Sequence, residues 1–256
     1  MMKKLYKWDL IHFFNQLKWI VLGTLFVTIL AVVFEALRDI NFVWAFFYQT
    51  AFLISVVGIV VSLVYGFFVV LQRFYQSVLK DEGYFTHTLP ISKGKILLAK
   101  VLSGFTLFTF SLLFAVGLLI WIKVINVKEF LALKDLDVNM FNMIIISLLS
   151  MVIMFYVFIV TIYAALLFGF SYNHKEWLYV FVYFILYYAV TQFISFINFG
   201  INYLINPNLL QVDESEIFVA LRGILIMQLI FSVGLGVANF YIARYLMTKK
   251  LNLKNG

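Results

Sequence analysis

The sequence predicts an all-α integral membrane protein, and three observations lead to this fold class. Of the 256 residues, 64% are hydrophobic, 20% are aromatic and only 12% are charged. A typical soluble domain has about 25% charged residues, so the composition excludes a soluble enzyme. Long stretches without any charged residue follow one another along the chain. None of them shows the alternation of polar and apolar residues that is typical of transmembrane β-strands.

Six of these stretches are long enough to cross a bilayer as helices, because about 20 apolar residues span about 30 Å of hydrocarbon. We therefore expect a single transmembrane domain over residues 1–256. Its predicted spans cover residues 19–37, 46–71, 97–122, 144–171, 178–200 and 223–245.

The basic residues predict how these spans are oriented. Fourteen of the nineteen Lys and Arg residues lie on one side: before the first span, in the second and fourth loops, after the last span, or, for Lys100 and Arg244, in the adjoining ends of the third and sixth spans. Eight of the twelve acidic residues lie on the opposite side. The positive-inside rule therefore predicts a multi-pass protein of the cell membrane with both termini in the cytoplasm.

The segment before the first span, residues 3–18, is too polar to enter the bilayer. A helix over this segment would have one largely apolar face, formed by Tyr6, Leu10, Phe13 and Leu17. Such amphipathicity predicts an N-terminal interfacial helix on the inner membrane surface. The alternative is a tail that only directs the topology.

The second loop, residues 72–96, is the largest cytoplasmic loop of the predicted topology. Pro90 disfavours helical backbone at the preceding residue and so ends any helix that begins earlier in the loop. The loop is therefore predicted to contain a short helix over residues 80–88. Asp81 and Glu82 would lie in its first turn, where the helix dipole favours acidic side chains.

This short helix would leave Tyr84, Phe85 and Leu89 in a loop that faces water. Apolar groups exposed in this way indicate a docking surface for another protein. The alternative is a helix that folds back onto the membrane surface.

The same loop resembles the second cytoplasmic segment of ABC-2 type transporter permeases. The similar stretches are Asp81-Glu82-Gly83-Tyr84, Thr88-Leu89-Pro90-Ile91-Ser92, and Lys95-Ile96-Leu97 with Lys100. The six-span topology with an N-terminal interfacial helix is also similar to that family. The resemblance covers the whole chain in architecture and only this loop in motif.

The resemblance implies a permease subunit whose coupling helix docks on a separate ATPase. By this likeness the docking residues are Asp81, Glu82, Gly83, Tyr84, Phe85, His87, Leu89 and Pro90. The implied partners are an ABC ATPase dimer that holds ATP and Mg, a second permease copy or a paralogous permease, and membrane lipid. The resemblance implies neither a bound cofactor nor nucleic acid for this chain.

Small permeases of this kind are similar to those of Gram-positive systems that export antimicrobial or amphipathic peptides, or that confer immunity to them. The absence of charged residues from the interior of the predicted bundle favours an amphipathic peptide, a lipid or a hydrophobic drug as substrate. The alternative function is an ATP-independent transporter or a peptide-immunity membrane protein. Ion-driven carriers usually bury an ionisable group near the midplane, and the sequence suggests none there.

Several kinds of enzyme site have no counterpart in the sequence. There is no phosphate-binding P-loop motif, no cysteine and no zinc-binding His-Glu-x-x-His motif. The three histidines, His12, His87 and His174, are not spaced as metal ligands. Glu35 is the one acid near membrane depth, and its neighbours Arg38 and Asp39 predict an ion pair at the membrane rim rather than a proton relay. We therefore expect no catalytic residue and no metal site.

The fifth predicted span has a polar stripe formed by Thr191, Ser195, Asn198 and Asn202, with Tyr187 and Tyr188 one turn earlier. At helical spacing these residues share one side, which must face protein or water rather than lipid. The stripe lines a translocation path or permease seam, or it forms hydrogen bonds between helices.

Two further features concern helix packing and the outer surface. In the second span, Gly58, Ser62 and Gly66 form a face of small residues that allows another helix to approach closely, within one subunit or between two.

The charge-free stretch Trp177–Val212 is too long for one simple span. With the resemblance, this length implies an outer re-entrant segment over residues 199–212.

Overall fold

The computed structural model describes residues 2–80, 82–136, 138–172, 175–205 and 217–250, with side chains at 133–136 and 217–220 left aside. In these ranges all regular structure is helical, which confirms the all-α prediction. The α-helices are α1 (Met2–Leu37), α2 (Phe42–Phe74), α3 (Gly83–Thr88), α4 (Lys93–Trp121), α5 (Val127–Leu136), α6 (Val138–Gly169), α7 (Glu176–Ile205) and α8 (Ile217–Lys249).

Six of these helices, all except α3 and α5, are long and apolar enough to cross a membrane. They coincide with the six predicted spans. Their outer surfaces expose large apolar side chains such as Phe26, Phe68 and Phe196. A soluble monomer rarely exposes apolar surface so continuously, so these faces are suited to lipid.

The first helix differs from the prediction, because α1 runs through residue 18 without a break. The N-terminal segment is helical as expected, but it is not a separate interfacial helix. No proline or glycine occurs between Met2 and Leu22 to end the helix. At 1.5 Å per residue, the 36-residue helix is about 54 Å long and exceeds the hydrocarbon thickness of about 30 Å.

The predicted loop over residues 72–96 is also largely helical. Helix α2 is followed directly by a π-helical turn over Tyr75–Leu79, and α4 begins at Lys93. The charged residues mark where the chain leaves the apolar layer, but a charge by itself does not stop a helix. The short helix α3 lies inside the loop as predicted, although it begins at Gly83 rather than at residue 80. Glu82 is therefore its N-cap residue, and its side chain makes no capping hydrogen bond.

Two further differences concern the end of α7 and the connection between α4 and α6. Helix α7 continues to Ile205, so residues 199–205 form its last turns rather than a re-entrant turn, and residues 206–212 lie outside the described chain. Helix α5 was not predicted, although its start has a local signal. The Asn126 side chain accepts a hydrogen bond from the Lys128 amide and donates one to Glu129, as at a helix N-terminus.

The chain divides into two compact units, and the first comprises Met1–Gln76 and Leu98–Phe130. In this unit α1 packs along α2, and both contact α4 in a core that contains Ile59, Ala115 and Leu118. The small face of α2 allows this packing. A Cβ at Gly58 would lie 3.3 Å from the Thr24 side chain.

The same small face continues toward the C-terminal end of α2. A Cβ at Gly66 would lie 3.0 Å from Ser111 Oγ of α4. Ser62, between the two glycines, is buried and donates to the Ile59 carbonyl. The face is thus occupied by helices of the same chain.

The second unit comprises Ser77–Leu97 and Leu131–Gly256. In it α6, α7 and α8 pack against one another. Helix α8 approaches α6 closely at Gly236, where a Cβ would lie 3.0 Å from Val157. The connection between α6 and α7 is tighter still, since a Cβ at Gly169 would lie 2.6 Å from the Glu176 carbonyl oxygen.

Candidate functional site

Helix α3 has one exposed aromatic face. Tyr84 is 63% exposed and Phe85 is 72% exposed, with their ring centroids 6.1 Å apart in an edge-to-face arrangement. Gly83 and Thr86 of the same helix are buried. The short helix therefore presents two adjacent rings on one side while its other side is covered.

His87 fixes the end of α3 to the turn that follows α2. Its ring is half-buried, and Nε2 lies 3.2 Å from the Val78 carbonyl oxygen. Burial lowers the pKa of His87 below its ordinary value, the nearby Lys93 charge lowers it further, and the hydrogen bond to Val78 opposes both. Because the ring is then mostly neutral near pH 7, Nε2–H donates to the carbonyl.

The C-terminal end of α3 agrees with the prediction from Pro90. Leu89 has extended backbone and ends the helix, while Thr88 Oγ1 donates back to the Phe85 carbonyl. The Ser92 carbonyl then accepts the first amide hydrogen bonds of α4, as expected for an N-cap residue. Of the predicted docking residues, Asp81 lies outside the described chain, and the others lie in or beside α3.

The polar stripe of α7 has two parts, and the part nearer the C-terminal end of α7 forms hydrogen bonds with side chains and with α8. Asn198 is buried, and its Nδ2 donates to the Ile224 carbonyl at 3.1 Å and to Gln228 Oε1 at 3.3 Å on α8. Asn202 Nδ2 donates to Asn198 Oδ1 at 2.8 Å. Asn198 therefore connects α7 to α8, and Asn202 holds the Asn198 side chain from within α7.

The other part of the stripe lines a cavity. Tyr187, Thr191 and Ser195 lie along the wall of a cavity of about 670 Å³ between α6, α7 and α8. The Thr191 hydroxyl donates to the Tyr188 carbonyl, and the Ser195 hydroxyl donates to the Thr191 carbonyl, so neither is used between helices. Tyr188 itself is exposed and lies outside the lining.

The cavity wall combines apolar side chains with uncharged hydroxyl and amide groups. The described residues of its lining include no Asp, Glu, Lys, Arg or His. Ser150 of α6 is 8% exposed, and its Oγ has no hydrogen-bond partner among the described residues. The polar lining from the three helices includes Ser147, Ser150, Gln192, Gln228 and Ser232.

Sequence reasoning missed a buried ion cluster in the first unit. Asp9 of α1 is 0% exposed, and its Oδ1 accepts hydrogen bonds from Arg73 Nε at 3.0 Å and from Lys100 Nζ at 2.7 Å. The cluster thus joins α1 to α2 and α4. A signal was present, because Asp9 lies at helical spacing with Phe13 and Leu17 on the face that was expected to be apolar.

A second missed cluster joins the three long helices of the second unit. Tyr183 Oη of α7 donates to Asn239 Oδ1 of α8 at 2.7 Å. Asn239 Nδ2 in turn donates to Thr161 Oγ1 of α6 at 2.8 Å. All three residues are buried, so this chain of hydrogen bonds satisfies polar groups that would otherwise be costly inside the unit.

Glu35 forms a different ion pair from the one that the sequence suggested. Its Oε1 accepts from Lys123 Nζ at 2.8 Å, whereas Arg38 pairs with Asp39 at 3.5 Å. Lys123 follows α4 and has a positive φ of 60°. The pair therefore joins the ends of two helices of the first unit.

The described residues contain no group of three or more His, Cys, Asp or Glu that could hold a metal ion. Fold and site together define a helical multi-pass membrane protein with an exposed aromatic helix in one loop and an uncharged cavity. Neither a family model, nor a curated protein, nor a solved structure matches the chain.

Proposed function

We propose that this chain is the permease subunit of an ATP-driven ABC-2 type exporter in the cell membrane. A separate ATPase dimer would hold ATP and Mg, and a second permease copy or a paralogue would complete the transporter. The observation that supports this function best is the aromatic face of α3. It lies in the loop between the second and third spans, where the resemblance expects a coupling helix.

The surroundings of α3 are suited to transmitting a displacement. In the sequence, three residues separate α3 from the π-helical turn and four residues separate it from α4. His87 further ties α3 to the π-helical turn through the Val78 carbonyl. A partner that moves α3 would therefore act directly on the inner ends of two spans.

The cavity supports the proposed substrate class. An ionic substrate would need a compensating charge inside the membrane, because an unpaired charge is costly to bury. The lining between α6, α7 and α8 offers hydroxyl and amide groups but no acidic or basic side chain. We therefore propose an amphipathic or hydrophobic cargo, such as a toxic or antimicrobial peptide, a lipid or a drug.

Co-purification with the candidate ATPase tests the coupling. The test variant carries Tyr84→Ala and Phe85→Ala, which removes both exposed rings from α3. The control carries Trp8→Ala and Phe14→Ala, which removes two similarly exposed rings from α1. We expect wild type and control to retain the ATPase and the α3 variant to lose at least nine-tenths of it.

Size-exclusion profiles of all three proteins verify that each remains folded. If the α3 variant binds the ATPase as well as the control does, α3 is not the docking helix. If wild type purifies without the ATPase in several mild detergents, the coupling itself is wrong, and the ATP-independent alternative gains ground.

A further inference from the structure

We infer that the cavity between α6, α7 and α8 is a binding site for a small neutral amphiphile, a molecule with an apolar body and one or two hydroxyl or amide groups. The inference deepens the proposed function. It rests on that function only where this ligand is taken to be the transported substrate. The cavity volume of about 670 Å³ lies within the range of about 300–1,000 Å³ that is usual for ligand pockets.

The hydroxyl groups of the lining point to a ligand that forms hydrogen bonds. A helical serine commonly satisfies its hydroxyl on the carbonyl four residues earlier. Ser147, Ser195 and Ser232 do this, through the carbonyls of residues 143, 191 and 228. Ser150 does not, although it is 8% exposed and lines the same cavity. Its Oγ lacks a partner among the described residues and is shielded from water, so a ligand group that reaches it would supply the missing hydrogen bond.

The electrostatics of the wall select a neutral ligand. Among the described residues, no acidic, basic or histidine side chain lines the cavity, so an ammonium or carboxylate would have no counter-charge from them. Amides of Gln192 and Gln228, together with the hydroxyls, offer both donors and acceptors. A neutral head group can use these, whereas a charged one would lose more hydration than they return.

The apolar part of the wall is suited to a body of variable shape. Met151 and Met154 of α6 line the cavity beside Phe155, Phe158 and Phe231. Methionine side chains are flexible and polarizable, and they adapt to irregular apolar partners. Such a wall accommodates an acyl chain or a fused-ring body without strict selection of its outline.

Photo-crosslinking tests the inference without the ATPase. The full chain is placed in phosphatidylcholine nanodiscs with a diazirine-bearing monoacylglycerol, and the labelled peptides are mapped by mass spectrometry. We expect saturable labelling around Met151 and Met154, with competition by unlabelled monooleoylglycerol. A diazirine fatty acid of the same chain length, used as its carboxylate, should label these positions at least five-fold less.

Three variants show whether labelling depends on the cavity. Ser150→Ala removes only the Ser150 hydroxyl and should raise the probe concentration for half-maximal labelling about five-fold. Met154→Trp fills space in the cavity and should reduce labelling at least ten-fold. The control is Val190→Phe, which adds bulk at an exposed α7 position outside the lining. It should behave like wild type.

Non-saturable labelling, equal labelling by both probes, or no effect of either cavity variant would overturn the inference, since each outcome means that these positions only contact bulk lipid. Labelling that is competed by monooleoylglycerol but not by other neutral amphiphiles of similar size would identify a membrane lipid as the source. Loss of ATPase co-purification leaves all these results unchanged, so this inference and the coupling fail separately.

Discussion

At the scale of single residues, Asp9 has the most consequential position in the first unit. A carboxylate that is fully withdrawn from water requires compensation, and Arg73 and Lys100 provide it through the same oxygen, Oδ1. Buried ion pairs add little to stability compared with apolar substitutes, but breaking one by removing a partner is costly. The cluster therefore fixes how the N-terminal half of α1 sits against α2 and α4.

Replacing Asp9 by Asn should lower the free energy of unfolding by about 3 kcal/mol, because two buried cations then face a neutral group. The measurement is denaturant unfolding in detergent micelles. Asp39→Asn serves as the control, since Asp39 is exposed and its surface pair with Arg38 should contribute at most about 1 kcal/mol. Equal losses in the two variants would mean that the cluster has no special role.

His87 predicts a pH dependence at the docking helix. Burial lowers its folded-state pKa below the unfolded value, so protonation favours the unfolded segment. The His87 contribution is intact above about pH 6.5 and is lost as the pH falls through the lowered folded-state pKa. Hydrogen exchange of the α3 amides, corrected for intrinsic rates, should accelerate in this window.

His87→Gln is the matched variant for this effect, since its amide can still donate to the Val78 carbonyl but does not titrate. Its exchange profile should be flat over the same pH range. A wild-type profile as flat as that of the variant would contradict the role of His87 protonation.

At the scale of helices, the sequence predicted which segments are helical better than where they begin and end. Charge-free stretches identified all six long apolar helices, because a helix surrounded by lipid can have few charged side chains. The same criterion began the first span at residue 19 and separated it from the predicted helix over residues 3–18, whereas α1 is continuous from Met2, because lysines end an apolar run but not a helix. Pro90 was a better marker, since it restricts backbone geometry directly and does end α3.

Partners of polar side chains were less accessible to prediction. The spacing of polar residues predicted the stripe on α7. The position of α8 determines that Asn198 forms a hydrogen bond with Gln228 of α8, whereas Ser195 lines a cavity. The Asp9 cluster depends likewise on three helices that meet from distant parts of the chain. Local periodicity identifies a face of a helix, but it does not identify what that face meets.

The α6–α7 connection predicts a strong steric effect at one glycine. A Cβ at Gly169 would lie 2.6 Å from the Glu176 carbonyl oxygen, and backbone cannot yield as a side-chain tip can. Gly169→Ala should therefore cost about 1–3 kcal/mol in unfolding experiments in micelles. Gly117→Ala is the control, because that helical position has open space, and there alanine should be neutral or stabilise by up to about 1 kcal/mol. A neutral Gly169→Ala would show that the connection relaxes easily.

At the scale of the whole molecule, each compact unit has its own buried polar cluster within an apolar exterior. The first unit has the ionic cluster at Asp9, and the second has the neutral chain of hydrogen bonds through Asn239. The ionic groups of the Asp9 cluster lie at the predicted cytoplasmic ends of the spans. The uncharged groups of the Asn239 cluster lie within the predicted spans. This distribution follows the cost of charge in lipid, and it leaves the second unit with a cavity free of ionic side chains.

Single introduced cysteines can test the predicted orientation directly, because the sequence contains no cysteine of its own. Lys4→Cys and Phe85→Cys lie on the predicted cytoplasmic side, and Asp39→Cys lies on the outer side. Because fourteen of nineteen basic residues fall on the inner side, a membrane-impermeant maleimide should label only Asp39→Cys in intact cells. The other two should react after permeabilisation. The reverse pattern would place α3 outside the cell, where no ATPase could reach Tyr84 and Phe85, and would exclude the exporter.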